Sequence, residues 1–90
     1  MKAEKAPLVQ LLKTARGQLD GILKMVEDDR YCIDISNQVL ATISILSKVN
    51  KEIIRAHLAG CVREAFVQGN EQQDAAKIEE IMSILEKMSK

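Results

Sequence analysis

Apolar residues recur at spacings of three and four along almost the whole chain, the signature of helices rather than strands. Leu8, Leu12, Ala15, Leu19, Ile22 and Val26 mark a first helix. Pro7 suits its first position, where a missing N–H costs nothing. Gly17 and Gly21 lie one turn apart, where small residues let another helix approach. The acidic run Glu27-Asp28-Asp29 is unfavourable at a helix C-terminus and favourable at an N-terminus. The first break is therefore expected around Asp28–Arg30. A second helix then runs from about Tyr31 to Gln68, with Gly69 as its stop. Along it Cys32, Ser36, Val39, Ile43, Leu46, Asn50, Ile53 and His57 alternate steps of four and three, a coiled-coil seam. Ile45, Val49 and Phe66 lie off that seam and need cover from the other helices or from another dimer. Asn70 can cap a third helix, with Gln73 in the capping-box position and Ile78, Ile81, Leu85 and Met88 as its stripe. The expected fold is all-α: three helices with one long central helix, and a frayed segment at Met1–Ala6.

Composition narrows the class. Ninety residues imply a single domain, 1–90. A chain this small has a thin core as a monomer, which oligomerisation remedies. Lys plus Arg and Asp plus Glu number 13 each, so any basic surface is local. No apolar run approaches the ~20 residues that span a membrane, and a cytoplasmic location with no membrane partner is expected. The two cysteines are then better read as ligands, sensors or buried residues than as a structural disulfide.

Both cysteines and the only histidine form one constellation: Cys32, His57 and Cys61. On a single helix at 100° per residue they fall within about 40° of one another. His57 and Cys61, at i and i+4, are spaced to share a metal. Cys32, however, lies roughly 38 Å along the axis from His57 at about 1.5 Å per residue. One chain cannot close the site, but two antiparallel copies can. The pairing puts a two-fold axis near Ile45–Leu46 and two Cys/His/Cys sites across one interface. Two thiolates and an imidazole suit Cu(I), which accepts three soft ligands, better than Mg or Ca. Zinc competes, but would want a fourth ligand. No arrangement resembles a nucleophile with its base, or a phosphate loop, so no enzyme is expected.

Four stretches carry a resemblance: Arg16-Gly17-Gln18-Leu19-Asp20-Gly21-Ile22, Asp29-Arg30-Tyr31-Cys32-Ile33-Asp34-Ile35, Asn37-Gln38-Val39 and Ala56-His57-Leu58-Ala59-Gly60-Cys61. Together they resemble the CsoR/RcnR family of metal-sensing transcriptional repressors over about residues 8–88. That likeness implies antiparallel dimers that pair into tetramers and release operator DNA when an effector binds. Its persulfide sensors lack the histidine, its formaldehyde sensors lack the second cysteine, and its nickel and cobalt sensors use further histidines. The copper-sensing branch is what remains. It implies one Cu(I) per protomer, held by Cys32 of one subunit and His57 and Cys61 of its partner. It also implies a second layer from Tyr31 and a third-helix glutamate, Glu80 or its neighbour Glu79. The genes controlled would be those of copper efflux or homeostasis. A thiol-redox repressor of the same family, using Cys32 and Cys61, is the alternative.

A repressor needs phosphate contacts. The first helix offers Lys13 and Arg16. On the second, Lys48, Lys51 and Arg55 lie within about 100–160° on the helical wheel, away from the ligand seam, although Glu52 interrupts their stripe. The resemblance places Lys13, Arg16 and Lys48 where the family contacts DNA.

Overall fold

The computed structural model describes the backbone of residues 1–68 and 71–88, and the side chains of these residues outside 61–62, 64–68 and 71–74. Three helices account for nearly all of it: α1 (Lys5–Glu27), α2 (Cys32–Gln68) and α3 (Glu71–Met88). No strand occurs among the described residues, as the periodicity requires. The expected stop at Gly69 and cap at Asn70 lie outside the described residues.

Helix α1 starts two residues earlier than expected. Pro7 still falls within the first turn, where its absent N–H has no carbonyl to meet. Residues 1–6, expected to fray, include the first two residues of α1, and Ala3 is buried at 8% exposure. At the other end the chain makes a Schellman stop. Arg30 N–H donates to the Met25 carbonyl at 3.0 Å and Asp29 N–H to the Val26 carbonyl at 3.1 Å. Asp29 holds the left-handed position with φ 51°, a place glycine usually takes. Helix α2 then opens with Ile35 N–H donating to the Tyr31 carbonyl at 3.2 Å, and with Asp34 in its first turn.

Two compact units divide the chain: residues 4–50, and residues 1–3 with 51–90. In the first, Leu8 and Ala15 on α1 and Thr42 and Val49 on α2 are buried. Leu11, Gln18, Ile22 and Met25 on α1, with Ile35 and Ile45 on α2, are half-buried beside them. Burying a Leu8-sized side chain contributes about 1.5–3 kcal/mol. The buried stripe of α1 thus runs Leu8, Leu11, Ala15, Gln18, Ile22 and Met25. This corrects the sequence reading, because Leu12, Leu19 and Val26 stay 46%, 53% and 53% exposed. A Cβ on Gly17 or Gly21 would meet nothing within 4 Å, so among the described residues no helix uses the close approach they permit.

In the second unit Ala3 and Ile81 are buried, with Lys77, Ile84 and Met88 half-buried on the same face of α3 as Ile81. Ile78 and Leu85, expected in that stripe, are 60% and 49% exposed. The segment before α1 also meets α2 here. A Cβ on Gly60 would stand 3.0 Å from the Cδ and Cε of Lys2, so only a glycine leaves room for that stem.

The middle of the α2 seam is apolar and exposed, whereas Asn50, Ile53 and His57 further along it are half-buried. Val39, Ile43 and Leu46 are 38%, 54% and 43% exposed. The off-seam positions Ile45 and Val49, by contrast, are at least half-buried. Helix α2 therefore carries two apolar faces, of which the fold of one chain covers one. Among the described residues, no helix is long and apolar enough to cross a membrane.

Candidate metal centre and nucleic-acid interface

Helix α2 is continuous from Cys32 to Gln68, with no break at Gly60. Cys32 is its first residue, an exposed free thiol. His57 follows 25 residues later on the same helix. Cys61 continues the same helix one turn on, and its side chain lies outside the described residues. Among the described residues no three His, Cys, Asp or Glu side chains gather within one chain.

His57 is the unusual member. Its residue is half-buried, yet Nε2 is closed off from solvent and no hydrogen bond reaches it. Leaving a buried polar atom unmatched costs about 1–3 kcal/mol, and native proteins rarely tolerate it without a use. Imidazole nitrogen is a good ligand for copper and zinc alike. The donor types present in the sequence, two thiols and an imidazole, fit a metal, and among the described residues Nε2 of the imidazole meets no competing partner.

The proposed second layer is placed but not joined. Tyr31 stands immediately before α2 with 65% exposure. Glu79 and Glu80 are both exposed on α3. No hydrogen bond from any of the three meets His57 Nε2.

The basic residues expected to contact DNA are all on the surface. Lys13 and Arg16 on α1 and Lys48 and Lys51 on α2 are exposed, with no ion-pair partner among the described residues. Arg55 differs. Its Nη2 donates to Glu52 Oε1 at 2.6 Å and its Nε to Glu52 Oε2 at 3.0 Å, a two-pronged clasp. The hydrogen bond from Arg55 holds the Glu52 carboxyl below its ordinary range, and the same bond raises Arg55. Sequence reading saw Glu52 only as an interruption. The i, i+3 spacing of opposite charges was the signal available. In the other unit the Thr42 hydroxyl donates to Gln18 Oε1, a bond with no such signal in the sequence, because a lone polar residue on an apolar face shows no period.

Residues 4–87 match the family model described as metal-sensitive transcriptional repressor. The copper-sensing transcriptional repressor CsoR of Mycobacterium tuberculosis is 39% identical over 82 residues, covering 91% of this chain and 66% of that protein. The chain thus spans just under two thirds of the length of that relative. CsoR of Bacillus subtilis is 34% identical over 87 residues, covering 97% of this chain and 83% of the other. Among solved structures, the copper-sensing repressor CsoR with Cu(I) from Geobacillus thermodenitrificans superposes with a TM-score of 0.82 at 31% identity, over 100% of this chain and 95% of that one. The nickel-responsive transcriptional regulator InrS gives 0.83 at 28% identity, over 92% and 93%.

Proposed function

The chain belongs to the metal-sensitive transcriptional repressors, regulators and not enzymes, and from that premise we propose a Cu(I)-responsive repressor that binds operator DNA when metal-free and releases it on copper binding. The observation that carries the metal half is the buried Nε2 of His57, unpartnered among the described residues, in a sequence whose helical spacing assigns Cys32 and Cys61 to the same face. Named copper sensors among the relatives support copper over nickel, as does a donor set with a single histidine.

The site is shared between two chains. Cys32 of one subunit joins His57 and Cys61 of its partner, one Cu(I) per protomer, because 25 positions of continuous helix lie between Cys32 and His57 in the sequence. The exposed seam of Val39, Ile43 and Leu46 is the surface that antiparallel pairing buries. A second stripe, Leu12, Leu19 and Val26, offers a further face for pairing of dimers into a tetramer. Bound copper would tie the two chains together at each end of the seam. His57 supplies the only neutral ligand. Tyr31, beside Cys32, and Glu80 or Glu79 on α3 form the layer through which the site reaches the DNA-binding face. Lys13, Arg16, Lys48 and Lys51 are the phosphate contacts, with Arg55 on the same stripe but clasped by Glu52. The setting is cytoplasmic, and the controlled genes are those of copper efflux or homeostasis.

Coupling is reciprocal: if copper weakens DNA binding, DNA weakens copper binding by the same factor. The test is a mobility shift on the DNA upstream of the chain's own gene, with and without Cu(I). Retention of DNA at saturating copper would overturn the reading. The thiol-redox alternative predicts a cross-linked dimer on non-reducing electrophoresis after peroxide or sulfide, which a copper sensor does not require.

A further inference from the structure

We propose that Glu52 is an electrostatic brake on the DNA-binding face: it holds Arg55 out of phosphate contact and so sets the affinity of the metal-free repressor. The proposal rests on the reading of the basic stripe as a DNA-binding surface, and gives one carboxylate on that stripe a role.

Three cations share the stripe, Lys48, Lys51 and Arg55, at about 160°, 100° and 140° on the helical wheel; Glu52, at about 200°, borders it. Two of those cations lie within reach of Glu52 along the helix: Lys48 at i−4 and Arg55 at i+3. The carboxylate takes Arg55, with two N–H···O bonds at 2.6 and 3.0 Å, and leaves Lys48 without an ion-pair partner among the described residues. The choice follows from shape. A planar guanidinium matches both carboxylate oxygens at once, which an ammonium cannot.

That same planar fork is what makes arginine a strong phosphate ligand. Glu52 therefore occupies the edge of Arg55 that a phosphate would use, cancels its charge and adds a negative group facing the DNA. Both side chains are exposed, at 68% for Arg55 and 41% for Glu52, so the clasp stands at the surface where a duplex would lie. Exposed pairs of this kind are weak. The brake thus lowers affinity without shutting the stripe off. A modest grip also fits release: coupling between sites commonly changes affinity by about 5–150-fold, so a repressor bound too tightly would stay on its operator with effector in place.

The experiment measures binding of the metal-free full chain to a fluorescein-labelled duplex of the DNA upstream of its own gene, by anisotropy across a salt series. Glu52→Gln keeps the shape of the side chain and removes its charge. Glu52→Ala, a good helix former, gives the same test by a second route. Both are expected to bind roughly five- to tenfold tighter at about 0.1 M salt for each phosphate gained, with a salt slope steeper by about 0.9. Arg55→Ala alone is expected to leave the wild-type slope unchanged, and Glu52→Gln with Arg55→Ala to return to it. Wild-type affinity in both Glu52 variants would overturn the brake and leave the repressor reading standing. So would a gain that survives in the double variant, since it would then owe nothing to Arg55. Absence of any binding by the wild-type chain would instead remove the DNA reading itself, and the brake with it.

Discussion

Thr42 of α2 donates its hydroxyl to Gln18 Oε1 of α1 at 2.8 Å, in the middle of an otherwise apolar contact. The one hydroxyl hydrogen also faces the Gln38 carbonyl at 3.2 Å, so the bond anchors α1 to α2 while serving α2's own backbone. Thr42 is 3% exposed, and loss of its hydroxyl leaves the Gln18 carboxamide short of a partner in a part-buried place. Thr42→Val is expected to destabilise by about 1–2 kcal/mol. Adding Gln18→Leu should recover part of that loss, since removing both partners costs less than stranding one. Urea unfolding of the four chains at one fixed concentration measures the coupling; strictly additive effects would mean that the bond contributes nothing.

Asp29 predicts the opposite sign. Its φ of 51° places a Cβ and a negative charge at the C-terminal end of α1, where the helix dipole already points its negative pole. Asp29→Gly should raise the unfolding midpoint, by about 0.5–1 kcal/mol after the flexibility glycine adds to the unfolded chain. Asp29→Val should lower it by about 1–2 kcal/mol. Thermal melts read both, and an increase for valine would be incompatible with the Schellman geometry.

What the sequence made legible and what it did not divide along a physical line: local conflicts and long periods can be read, and tertiary neighbours cannot. The Asp28–Arg30 break was legible because charge and dipole conflict at a fixed point of the chain. The length of α2 was legible because its seam holds one period from Cys32 to His57. The buried stripe of α1 was not. Leu8, Ala15 and Ile22 belong to both candidate stripes, and the choice between Leu11 and Leu12, or Gln18 and Leu19, depends on where α2 lies. Leucine counts favoured Leu12 and Leu19; the fold buries Leu11 and Gln18 because Thr42 gives Gln18 a partner. The burial of Ala3 was equally unreadable, since so short a segment carries no period. At the candidate site, spacing alone assigns Cys32, His57 and Cys61 to one helical face. The isolation of His57 Nε2 depends on what surrounds the ring, which no spacing encodes.

The exposed seam gives a prediction about assembly. Ile43 is 54% exposed and central to the seam, so a glutamate there costs an isolated chain little. Across an antiparallel pair it would face apolar side chains and its own symmetry mate. Ile43→Glu should reduce the mass measured by analytical ultracentrifugation to that of a monomer. Lys48→Glu, on the opposite side of α2, should leave the mass unchanged. Equal masses for wild type and Ile43→Glu would place the interface elsewhere.

His57 separates cost from use. An imidazole nitrogen buried without a partner costs stability as long as no metal sits beside it. Leucine fills similar space and strands no polar atom. His57→Leu is therefore expected to hold or raise the stability of the metal-free protein, by up to about 1 kcal/mol, even though a buried side chain has been changed. The same variant should bind operator DNA as the wild type does and fail to release it when Cu(I) is added. The two measurements together are the point: a residue kept for packing would lose stability on replacement, and a residue kept as a ligand loses only the response. A fall of more than about 1 kcal/mol in the metal-free variant would show that Nε2 has a structural partner after all. Release of DNA by copper in spite of the leucine would show that the cysteines alone carry the signal.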